Sequence, residues 1–115
     1  MTILFAALIV LAVTALGGLA AAAFRARGSN PPMWLAITHG VAAASGLVLL
    51  SVSGVLEGFS TPLAVGLGLL VVSALGGFVL FGTHLRAQII HGPLVLVHGL
   101  ISFSGFLAVV VAAFA

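Results

Sequence analysis

The 115-residue chain has no cysteine, a single acidic residue and only three basic ones, so charged side chains make up 3% of it. The missing cysteines exclude disulfides, thiolate-ligated haem, iron–sulfur clusters and covalent c-type haem attachment, and leave the redox compartment undetermined. Two methionines, Met1 and Met33, are too few for a copper(I) path of soft sulfur ligands. So little charge cannot make the surface of a soluble domain of this length. Lipid is the solvent that suits a chain 63% hydrophobic with a mean hydropathy of +1.50. The calculated pI near 11.7 rests on three arginines against Glu57, too few cations to suggest a nucleic-acid-binding surface. No nucleophile–base pair, phosphate loop or carboxylate dyad is visible, so hydrolytic and phosphoryl-transfer chemistry lack machinery.

What the chain does have is apolar length. Breakers divide it into four runs, at 3–24, 33–56, 62–83 and 93–114. At ~1.5 Å per residue each suffices to cross ~30 Å of hydrocarbon as a helix. Asn30 ahead of Pro31 and Pro32, Thr61 ahead of Pro62, and Pro93 supply helix starts. "LAAAAF" at 19–24 imitates a signal-peptide cleavage site, but no Lys or Arg precedes the first run and the positive charges follow it. That run is expected to be a retained span.

A shift of 59 residues aligns the two halves without gaps, giving repeat 1 (1–58) and repeat 2 (59–115). "ALGG" at 15–18 matches "ALGG" at 74–77, Arg27 falls on Arg86, His39 on His98, and Gly46 on Gly105. Two spans per repeat keep both halves in the same orientation, which predicts a pseudo-twofold axis along the membrane normal. Arg25, Arg27 and Arg86 lie in the 1–2 and 3–4 loops, and Glu57 lies in the 2–3 loop as an ordinary loop residue. The positive-inside rule then makes the arginine loops cytoplasmic and sends both termini outside, in a plasma (inner) membrane. The expected architecture is an all-α, four-transmembrane-helix bundle built from two tandem hairpins.

Four histidines, His39, His84, His91 and His98, fall on the arginine side. His84 closes the third run and His91 sits in the loop after it. His39 and His98 lie roughly a turn and a half inside their helices, where an ionisable group is costly and marks a functional site by default. Ala42, Ala43 and Gly46 share the face of His39, and Ile101, Ser102 and Gly105 that of His98. Haem b suits these residues: a flat apolar disc with two anionic propionates, asking for axial imidazoles, close backbone and nearby cations. His39 and His98 are the expected axial ligands of the haem iron, from spans facing each other across a bundle diagonal. Gly46 and Gly105 are expected to leave room for the macrocycle, and Arg25, Arg27 and Arg86 to meet the propionates. His84 and His91 are alternative ligands.

Helix-borne histidines with a glycine a turn or two away resemble the haem-binding helices of membrane b-type cytochromes, including the cytochrome b561-like and cytochrome bc-complex groups. The likeness covers the two His–Gly segments. It implies haem b in a four-helix bundle and electron transfer, with a quinone or redox protein as partner. This chain lacks two histidines on one helix spaced for stacked haems, so one haem is expected.

Two other readings are open. All four histidines could form a cluster for a zinc, copper or iron ion. The chain could instead be a structural or assembly subunit of a larger complex, or a homo-oligomer, its small residues serving only close helix packing. The lack of intramembrane carboxylates disfavours a transporter or channel.

Overall fold

The computed structural model describes residues 2–115; Met1 lies outside them. Each apolar run is one helix: α1 (Ile3–Ala26), α2 (Met33–Glu57), α3 (Thr61–Leu85) and α4 (Gly92–Phe114). All four are long and apolar enough to cross a membrane. Large side chains such as Leu16, Leu19, Val55, Phe78 and Leu96 point outward, a surface suited to contact with a lipid bilayer.

The helix ends follow local chemistry. Thr2 caps α1, its hydroxyl accepting from the Phe5 N–H. Ser60 rather than Thr61 caps α3, accepting from the Leu63 N–H. Asn30 does not cap α2: Pro32 occupies that position without a side-chain bond. The Asn30 carboxamide instead reaches the other loop, donating to the Gln88 carbonyl (2.7 Å) and accepting from the Ile90 N–H (2.9 Å). Arg25 Nε adds a bond to the Ile90 carbonyl (2.7 Å), so the α1–α2 and α3–α4 loops are stitched together. Glu57 is not an ordinary loop residue. It is the last residue of α2, and its Oε1 accepts from the Ile3 N–H (2.9 Å), setting a carboxylate against the positive end of α1.

Short loops make sequential helices antiparallel neighbours. α1 packs along α2 and α3 along α4, α1 meets α4 and α2 meets α3 over smaller faces, and the diagonal pairs make no backbone approach. The result is a four-helix bundle measuring 42 × 22 × 19 Å. Its buried apolar cluster, Ala7, Leu11, Leu50, Leu63 and Val109, occupies the half nearest the termini. In lipid such a cluster gains from packing rather than from leaving water, so close approach matters most. Gly66 shows how close: a Cβ there would stand 3.0 Å from the Gly105 carbonyl oxygen and 2.9 Å from Val109 Cγ2. The opposite half, toward the arginine loops, buries Leu35 and Ile90 and holds His39 and His98.

Candidate functional site

Two of the four histidines meet. His39 on α2 and His98 on α4 reach inward from diagonally opposed helices, with ring centroids 6.4 Å apart and planes crossed at 81°. Both are half-buried. His84, in the last turn of α3, and His91, the N-cap of α4, are not brought to this pair. Among the described residues, no three His, Cys, Asp or Glu side chains stand close enough to hold a metal ion. His91 caps the helix that carries His98 but lies about two turns from it, and the break between α3 and α4 falls between His84 and His91.

Each ring is oriented by the helix that precedes its own. His39 Nδ1 lies 3.0 Å from the Thr14 carbonyl oxygen, and His98 Nδ1 lies 2.8 Å from that of Ser73. A carbonyl oxygen only accepts, so Nδ1 carries the proton in both rings. In the neutral imidazole this leaves the Nε2 lone pair free, the tautomer of a histidine whose second nitrogen serves a metal.

The small surfaces beside the rings come from α1 and α3. A Cβ on Gly18 would stand 3.0 Å from His39 Cε1, and one on Gly17 3.7 Å from Nδ1. The same contacts recur 59 positions on, where a Cβ on Gly77 would stand 3.2 Å from His98 Cε1 and one on Gly76 3.8 Å from Nδ1. Gly46 and Gly105 do not flank the imidazoles. A Cβ on Gly46 would meet Leu11 Cδ2 at 2.6 Å, and one on Gly105 would meet Leu70 Cγ at 2.8 Å, so leucines fill those positions. The reason is directional: a helical side chain leans toward its own N-terminus, so each imidazole tilts away from a glycine seven residues on. An open apolar trough of about 530 Å³ runs along α2 past Val41, Ala44, Ser45 and Val48, all four of them exposed residues on its outer face.

The pair is not symmetric in its hydrogen bonding. Ser73 Oγ lies 3.1 Å from His98 Nδ1, contacts Ser102 Oγ, and stands 3.3 Å from the His98 carbonyl oxygen. Ser102 Oγ donates to that same carbonyl at 2.7 Å. The matching positions near His39 are Thr14, whose hydroxyl turns back to the Val10 carbonyl, and Ala43, which has no hydroxyl. Ser102 shares the face of His98 in the sequence, and its pairing with Ser73 follows from the register between α3 and α4 rather than from spacing along one helix.

The arginines gather at the loop end. Arg25 is half-buried, its Nη2 lying 3.4 Å from the Cβ position of Gly92 at the start of α4. Arg27 and Arg86 are exposed C-cap residues, and Arg86 Nε donates to the Gly82 carbonyl at 3.1 Å. No protein-family model, curated protein or solved structure matches the chain.

Proposed function

We propose that the chain binds one haem b between His39 and His98 and carries electrons within a membrane. The observation behind this reading is the number of donors: two imidazoles meet, and among the described residues no third His, Cys, Asp or Glu side chain joins them. A protein zinc site needs about four ligands, three of them from the protein even when catalytic. Haem brings its own four equatorial nitrogens and asks the protein only for axial ones.

The residues fit the group as follows. His39 and His98 Nε2 would be the axial donors, held in the right tautomer by the Thr14 and Ser73 carbonyls. Gly17, Gly18, Gly76 and Gly77 let the two imidazoles lie close against α1 and α3. Arg25, Arg27 and Arg86 would offset propionate charge at the loop end, where His84 and His91 also lie. When bound, haem supplies a one-electron couple; the chain contributes ligation and an environment free of carboxylates.

The matching contacts 59 residues apart support reading the chain as two tandem hairpins about a pseudo-twofold axis along the membrane normal. On the positive-inside rule, the arginine loops and the histidine pair lie toward the cytoplasm of a plasma (inner) membrane, with both termini outside. A quinone or a redox protein would then exchange electrons on the cytoplasmic side.

Absorption spectra of the detergent-purified protein, oxidised and reduced, test this. Low-spin b-type bands are expected, lost in His39→Ala and His98→Ala and kept in His84→Ala. A colourless preparation from haem-replete cells that contains zinc or copper would refute the haem and favour an ion. Wild-type accumulation and activity of a host complex in both alanine variants would favour a structural subunit.

A further inference from the structure

Two imidazoles that occupy equivalent places need not be equally held. The His98 side has a closed set of proton donors and acceptors. Its Nδ1–H is shared between the Ser73 carbonyl (2.8 Å) and the Ser73 hydroxyl (3.1 Å). The Ser102 proton goes to the His98 carbonyl, which leaves the Ser102 oxygen to accept from Ser73. Every hydroxyl proton has an acceptor, and the ring is tied to α3 through both the backbone and the side chain of one residue. His39 has a single bond, 3.0 Å to the Thr14 carbonyl, because the Thr14 hydroxyl bonds within its own helix and Ala43 stands where Ser102 would. Partners of this kind fix ring orientation and raise the basicity of the ligating nitrogen.

We infer that His98 is the anchored axial ligand and His39 the exchangeable one, so that a small neutral ligand reaches the metal from the His39 side. This rests on the haem reading. His39 would be the donor that gives way, and the incoming neutral donor would replace it one for one, so no electron is gained or lost. Ser73 and Ser102 are positioning residues that set which bond is broken.

The test compares His39→Gly with His98→Gly in the full-length protein, measuring haem per chain and the spectrum with and without added imidazole. His39→Gly is expected to retain haem, to lose the low-spin bands and to regain them with imidazole. His98→Gly is expected to lose about tenfold in haem affinity relative to His39→Gly, the scale of effect of outer hydrogen-bond partners. Adding Ser73→Ala and Ser102→Ala to His39→Gly should remove that advantage. In the wild-type background, the same serine pair of substitutions should shift the reduction potential without unfolding the protein. Equal haem retention by the two glycine variants, or an advantage for His98→Gly, would overturn the inference while leaving haem binding intact. A wild-type protein without haem would instead overturn the reading it rests on.

Discussion

Alanine at Gly18 and alanine at Gly17 differ by one position and should differ in outcome. Either substitution gains up to about 1 kcal/mol of helix propensity. At Gly17 the new methyl lies 3.7 Å from His39 Nδ1, an ordinary contact, so that gain is kept. At Gly18 the methyl lies 3.0 Å from Cε1 and 3.5 Å from Nδ1 of the same ring, which must then move. Overpacking of this kind costs about 1–3 kcal/mol, and displacing the ring weakens its 3.0 Å bond to Thr14, worth about 0.5–1.5 kcal/mol. Gly18→Ala is therefore expected to be less stable than Gly17→Ala by about 2 kcal/mol. Reversible unfolding in mixed micelles measures that gap. Nitrogen-15 NMR of labelled histidine shows in parallel whether Nδ1 keeps its proton. Equal stability, with an unchanged His39 signal in both variants, would refute the packing of the ring against Gly18.

The contact between α3 and α4 allows a similar comparison: Gly66→Ala puts a methyl against backbone that cannot swing aside, whereas Gly68 has open space around it. Gly66→Ala should lose about 1–2 kcal/mol and Gly68→Ala none, by the same unfolding assay. Asn30→Ala removes two bonds between the loops and should cost about 1–2 kcal/mol, seen as faster amide exchange at Ile90.

The spans were legible because an apolar run of more than 20 residues has few other fates, and their ends moved by only one or two residues. Arg25 shows why: the helix continues past the last apolar residue, since a cation suits the final turn. Pairing the histidines across the diagonal was legible too, because two short loops leave an up-down bundle little choice. The walls of the site were misplaced. Gly46 and Gly105 were assigned to the rings from spacing along one helix, but the neighbours of a ring are set by register between helices. A signal for that register was present. Gly18 and His39 are equidistant in sequence from the midpoint of the turn at Gly28 and Ser29, as Gly77 and His98 are from that of Ala87 and Gln88. Folding the sequence about its turns, rather than reading down each helix, pairs glycine with histidine. Glu57 and Asn30 were misread for a related reason: their partners, Ile3 and the 88–90 segment, are more than 50 residues away.

Each imidazole takes its hydrogen bond and its glycine contacts from the helix next to it in sequence, not from the opposite half of the molecule. A hairpin emerging into the bilayer can therefore set its histidine in place before the second hairpin is made. The second half adds the smaller α1–α4 and α2–α3 faces and the Asn30 and Arg25 bonds that join the two loops. The buried cluster, with Ala7, Leu11 and Leu50 from one hairpin and Leu63 and Val109 from the other, is then the place where two prebuilt leaves close on each other.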